Sequence, residues 1–237
     1  MSDIFWLQQR QGELPEADEW LSPEELAVLS RMVVPKRKAE WRLGRWTAKC
    51  AFALLHRIPR DNNCLAEIQI RASALGSPEV LVCGQLANVT LSISHRSGAA
   101  ITAVAPARTK LGCDLELIEP HSDAFVEDYF TCEERILLAQ AYSHDRPLLA
   151  TLLWSAKESA LKAIQLGLRA DTRSVNVELL GNSLAPWAAL KVTCAQGDIL
   201  YGWWRQQGDA VVTIVAESAC HEPVQLHRSA ECYSQSA

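Results

Sequence analysis

The sequence predicts an α+β fold made of two similar halves, a pseudo-dimer in which each half is a small antiparallel sheet packed with a long helix. Two internal echoes lead to this reading. Trp46-Thr47-Ala48-Lys49 resembles Trp154-Ser155-Ala156-Lys157, 108 positions on, and Ala99-Ala100-Ile101-Thr102-Ala103-Val104 resembles Ala210-Val211-Val212-Thr213-Ile214-Val215, 111 positions on. Each echo is short, but the offsets nearly agree and helix precedes strands both times, as a duplicated unit requires.

The elements follow from local chemistry. Ser22-Pro23-Glu24-Glu25 is a helix start: Ser22 caps, Pro23 suits the first turn, and Glu25 completes a capping box. Pro35 opens a longer helix to about His56. Val89 to Ser94 alternates apolar and polar residues like a half-buried strand, Ser97-Gly98 is a turn, and Ala99 to Ala105 is the returning strand. Pro106 marks a break before a strand at 111–117. Thr131-Cys132-Glu133-Glu134 is a second capping box, a helix at 147–166 stops near Gly167, and 175–217 is strand-rich. The expected division is 1–107, 108–220 and a loose polar tail, 221–237.

Composition narrows the class. The 237 residues are 49% hydrophobic and 22% charged, as in a globular protein with a full core. A net charge of −5 argues against bulk binding of nucleic acid, though not against a local basic pocket. No apolar run is long enough to span a membrane, and the first residues show no basic segment leading into an apolar one. Eight cysteines without a C-x-x-C pair then suggest free, mostly buried thiols in a reducing cytoplasm.

Four segments can carry chemistry. Glu158 and Lys162 share a helix face, which taken alone is ordinary surface design. Leu111-Gly112-Cys113-Asp114-Leu115-Glu116 places two carboxylates on one face of a strand, with Cys113 and Leu115 facing the core. The pair suits a hard divalent ion or is simply a solvent-facing acidic edge. Ser94 and His95, at a strand end, fit a phosphate or merely cap the strand. Arg42, Arg45 and Lys49 share a helix face, either a phosphate stripe or a solvated surface. There is no Walker A loop, G-x-G-x-x-G or G-x-S-x-G.

In this order the segments resemble the 4′-phosphopantetheinyl transferases of the larger, surfactin-synthetase type, over roughly residues 20–217. The family's motifs stand here as Ile93-Ser94-His95-Arg96, Gly112-Cys113-Asp114-Leu115-Glu116, Phe130-Thr131-Cys132-Glu133 and Trp154 to Lys162, with Gly44-Arg45 and Gly76-Ser77-Pro78 upstream. The resemblance implies a monomeric pseudo-dimer. It would transfer the phosphopantetheine arm of coenzyme A to a serine of an apo acyl or peptidyl carrier protein in fatty-acid, polyketide or nonribosomal-peptide synthesis, releasing adenosine 3′,5′-bisphosphate.

It further implies that Asp114, Glu116 and Glu158 hold magnesium, that Glu158 is the base, and that Lys162 stabilises phosphate charge or protonates the leaving group. Lys157 would assist on the phosphates, Ser94 and His95 would contact the 3′-phosphate end, and Arg45 and Arg71 would join the coenzyme A site. Arg96 departs from the usual small polar residue, and Ser77 stands where many members carry Lys or Arg. The surface around Phe130 and residues 122–142 is expected to meet the carrier. The alternative is a degenerate member of the same fold that binds carrier or coenzyme A without turnover.

Overall fold

The computed structural model describes residues 3–166, 170–180, 186–218 and 221–227. The first half runs β1 (Phe5–Arg10), α1 (Pro23–Ser30), α2 (Pro35–His56), α3 (Asn62–Ala66), β2 (Ile68–Ala72), β3 (Pro78–Val82), β4 (Gln85–Leu86), β5 (Val89–Arg96) and β6 (Ala99–Pro106). The second runs β7 (Leu111–Leu117), α4 (Asp123–Tyr129), α5 (Cys132–Gln140), α6 (Arg146–Ala163), β8 (Val175–Leu180), β9 (Ala188–Cys194), β10 (Ile199–Gln207) and β11 (Ala210–Ala216). A two-residue strand, β12 (Val224–Gln225), follows.

Each half packs a sheet on its long helix, as the duplicated pattern predicts. The first sheet has the order β12-β1-β6-β5 and the second β7-β11-β10-β9-β8. Among the described residues all pairings in these two sheets are antiparallel except β12 with β1, where Val224 lies opposite Phe5. The halves differ in one respect: β2, β3 and β4 form a separate sheet, whereas their counterparts continue the second sheet.

Both capping boxes form. Ser22 and Thr131 accept from the backbone N–H groups of Glu25 and Glu134, whose carboxylates reach back to the cap N–H groups. Ser97 and Gly98 take φ of 47° and 76°, the left-handed pair that a two-residue hairpin needs. The expected stop at Gly167 lies outside the described residues; α6 has already ended at Ala163. Of the tail, 221–227 is described and includes β12, while 228–237 is not.

Under each sheet lies a core, with α2 burying Leu43, Ala48, Ala51 and Phe52 and α6 burying Leu152, Leu153, Ala156, Ala160 and Leu161. A third core joins the halves: Trp6, Ile101 and Ala103 of the first sheet meet Cys113, Leu115, Val212 and Ile214 of the second. At this seam β5 meets β7 directly, the Cys113 N–H donating to Ser92 Oγ at 2.9 Å and its thiol to the Ser92 carbonyl at 3.2 Å. The thiol expectation needs trimming, since only Cys50, Cys113 and Cys194 of the six described cysteines are buried.

The duplication reaches a buried ion pair. In the first half the Lys49 ammonium meets Glu25 and donates to the carbonyls of Trp20 and Leu65. In the second, the Lys157 ammonium meets Glu134 and donates to the carbonyls of Thr172 and Val175. Each glutamate also accepts a strand N–H through its other oxygen, from Ile70 or Val177 at 2.9 Å. Each ammonium lies near a ring, Trp20 or Phe130. The pair ties the capped helix, the long helix and the following strand together in both halves.

Candidate active site

The site is built where α6 crosses β7. The backbones approach so closely that a Cβ on Gly112 would lie 1.8 Å from the Ser159 carbonyl oxygen, so only glycine fits there. Small hydroxyls fix the helix on the neighbouring strand: Thr213 Oγ1 donates to the Ser155 carbonyl at 3.0 Å and lies 2.7 Å from Ser159 Oγ. Thr213 is opposite Asp114 in the sheet register. The next turn of α6 therefore carries Glu158 and Lys162 onto the strand's two acids.

One oxygen from each of Asp114, Glu116 and Glu158 lies within 4.8 Å of the others. Asp114 is only 1% exposed. Its Oδ1 accepts from Lys162 Nζ at 2.7 Å and from Ser94 Oγ at 2.7 Å. Its Oδ2 is buried without a hydrogen-bond partner among the described residues. A buried, unpaired carboxylate oxygen beside two further carboxylates is a set of hard donors that fits a cation such as magnesium. This excludes the solvent-facing reading of Asp114; Cys113 and Leu115 are buried as expected.

The electrostatics follow from crowding. Burial first, and then the Asp114 charge, push the Glu158 carboxyl from 4.5 up to about 7. The same two causes raise Glu116, with Arg96 opposing them. Burial works against the Lys162 ammonium, but Asp114 and Glu158 outweigh it, and its pKa is raised. It stays charged, 3.8 Å from Glu158.

Beside this cluster runs a trough. One cavity of about 650 Å³ is lined by Trp41 and Arg45 of α2, Arg71 and His95; a second of about 590 Å³ is lined by Ser77, Ser92 and Lys162. The two share Gly76, Pro78 and Ile93. The Arg45 guanidinium lies 4.8 Å over the Trp41 ring, and its buried Nε has no hydrogen-bond partner among the described residues. Burial lowers the His95 pKa, with Glu40 opposing. Arg71 is paired with Glu79 at 2.8 Å.

Three expectations need correction. Lys157 does not face the trough: it has no exposed side-chain surface, and its ammonium is spent on Glu134 and two carbonyls, so it is a core cation. Ser94 and His95 do not share a face. Adjacent residues of a strand point to opposite faces, and Ser94 holds Asp114 while His95 lines the trough. The stripe on α2 is divided, because Lys49 is buried against Glu25 and Arg42 is bound to Asp18 and to the carbonyls of Pro15 and Glu16. Arg45 alone of the three lines the trough. Sequence reasoning did not find the contact of Arg96 with Glu116, though Arg96 was conspicuous as a departure from the family's pattern.

Residues 110–215 match the model of a family described as the 4′-phosphopantetheinyl transferase superfamily. The matched segment holds Asp114, Glu116, Glu158 and Lys162. Among solved structures, the chain is similar to a holo-(acyl-carrier-protein) synthase from Bacillus anthracis str. Ames, crystallised in complex with CoA (3′,5′-ADP). That likeness has 20% identity and a TM-score of 0.37 and covers 44% of this chain and 94% of the other. It is also similar to an apo-ACPS printed as from Chronobacterium ammoiniagenes, at 20% identity and a TM-score of 0.35, covering 46% of this chain and 99% of the other. The search of curated proteins returned no match.

Proposed function

We propose that the protein is a magnesium-dependent 4′-phosphopantetheinyl transferase of the larger, two-half type, acting on an apo carrier protein. The observation that carries the reading is the convergence of Asp114, Glu116, Glu158 and Lys162 inside the segment that matches the transferase family. In the reaction, a carrier serine oxygen forms a bond to the β-phosphorus of coenzyme A. The bond from that phosphorus to the bridging oxygen breaks, and adenosine 3′,5′-bisphosphate leaves.

Glu158 is the group suited to take the serine proton: burial and the Asp114 charge raise the basicity of its carboxylate in the cation-free protein, and it lies 3.8 Å from Lys162. Lys162 is held charged and faces the developing negative charge of the leaving group. Ser94 keeps the Asp114 carboxylate aimed by donating to Oδ1. When bound by the three carboxylates, magnesium would offset pyrophosphate charge and align it. His95, Arg45 and Arg71 line the trough suited to the nucleotide end, Arg45 and Arg71 supplying positive charge.

The apolar surface of α5, with Ile136 59% exposed, is suited to meet the carrier. No helix among the described residues is long and apolar enough to cross a membrane; the enzyme proposed is cytoplasmic and monomeric. A binding protein without turnover is disfavoured, since all four reactive side chains are present. The test is to incubate the protein with coenzyme A, magnesium and apo acyl and peptidyl carriers and to weigh the carriers. Gain of a phosphopantetheine arm is the expected result; unchanged masses across the panel would refute the reading.

A further inference from the structure

The three carboxylates have a second cation beside them that the proposed reaction does not use. Arg96 ends β5, the strand whose Ser92 and Ser94 already bond along β7. Alternate strand residues share a face, so Arg96 continues that row and meets Glu116, Nε to Oε2, at 3.2 Å. Its Nη2 lies 3.4 Å from Glu119 Oε2. Glu116 is largely buried, at 17% side-chain exposure, whereas Arg96 and Glu119 are 43% and 54% exposed. A guanidinium on a long, half-exposed stem can leave one carboxylate and keep the other, while Glu116 is held in place by its strand.

We propose that Arg96 is a tethered counter-ion that competes with the divalent cation for Glu116, and that Glu119 is the seat it keeps when the cation enters. The inference rests on the proposed metal role of Asp114, Glu116 and Glu158. Its physical content is charge balance. With all groups ionised, the three acids carry three negative charges, and Lys162 and Arg96, the two cations touching them, return two; Glu119, more than half exposed, adds a fourth negative charge that solvent screens. The cluster itself then offers a divalent ion a net pull of about one charge, and one of its three ligands, Asp114, already accepts from the Lys162 ammonium. A pyrophosphate brings the missing negative charge. The arrangement therefore makes cation binding weak on the free protein and strong once coenzyme A is present, so the cation and the nucleotide load together.

Manganese serves as the probe, with unbound ion counted by electron paramagnetic resonance on the full chain, with and without coenzyme A. Without coenzyme A, Arg96→Ala is expected to bind manganese at least about tenfold more tightly than the wild type, which corresponds to about 1.4 kcal/mol. Arg96→Lys keeps a charge without the planar fork and is expected to gain less. Glu119→Gln removes the alternative seat and is expected to weaken manganese binding. Coenzyme A is expected to tighten binding to the wild type more than to Arg96→Ala.

Unchanged or weaker binding by Arg96→Ala would overturn the competition and make Arg96 a support for Glu116 instead. Asp114→Asn separates the two levels of the argument. If it binds manganese as the wild type does, with coenzyme A present, the three-acid site itself is wrong. If its binding is lost while Arg96→Ala shows no gain, only the role of Arg96 fails.

Discussion

Replacing Lys157 by alanine removes the cation from a site that contains no water-exposed group. Glu134 would remain 1% exposed, with its charge facing a void, and the carbonyls of Thr172 and Val175 would each lose a donor. Breaking a buried pair by deleting one partner costs about 3–5 kcal/mol, because the remaining charge is uncompensated. The lost carbonyl bonds act in the same direction without adding in full. For a chain of this length, that predicts a fall in Tm of about 10 °C. Urea unfolding followed by tryptophan fluorescence measures the change.

Lys157→Met with Glu134→Gln tests the cause. Methionine fills the volume, and glutamine still accepts from the Val177 N–H, so the double variant is expected to lie above Lys157→Ala in stability. Lys49→Ala, at the equivalent place in the first half, is expected to cost a similar amount. Folded Lys157→Ala is expected to bind coenzyme A as the wild type does. A variant within 1 kcal/mol of wild-type stability that loses coenzyme A affinity would refute the structural role and return Lys157 to the phosphates.

Four other outcomes follow from the site. Asp114→Ala or Glu158→Ala should lower transfer by about 10²-fold or more while circular dichroism stays native, since each removes charge stabilisation rather than packing. The raised Glu158 pKa makes the cation-free protein less stable as pH rises. Its contribution is full below about 4.5 and is lost by about 7, a difference of about 3 kcal/mol seen in urea midpoints at pH 5 and 8 and flattened in Glu158→Gln. Gly112→Ala drives a methyl into the Ser159 carbonyl, so it should destabilise the fold by about 1–3 kcal/mol and depress transfer by displacing β7 from α6, both read on one preparation. His95→Ala should weaken coenzyme A binding more than dephospho-coenzyme A binding, by about 1.5–3 kcal/mol, as titration calorimetry with the two ligands would show.

What was readable from the chain was what is local. Ser22 with Glu25 and Thr131 with Glu134 announce their helices because a cap needs residues three apart. Glu158 and Lys162 could be placed on one face by helical spacing, and Asp114 with Glu116 by strand spacing. What was hidden depends on distant partners. Lys157 sits in a motif beside Glu158, and nothing in that neighbourhood says that Glu134 claims it. β1 reads Phe-Trp-Leu-Gln-Gln-Arg, with no clear alternation, and is a strand because β6 and β12 flank it. β12 is two residues long, too short to carry a period. The division of labour between Ser94 and His95 also needed the fold, because only the seam assigns each face of β5 a neighbour.

That seam has a mechanical consequence. Ser94 belongs to the first half and Asp114 to the second, and the 2.7 Å hydrogen bond between them spans the join beside the carboxylates. The cores under α2 and α6 lie on either side and do not depend on the angle between the halves. A small rotation at the join would leave both cores whole yet part the serine from the aspartate. The site thus works as an alignment gauge: its geometry is correct only when the two halves are seated, and it fails before either of them does.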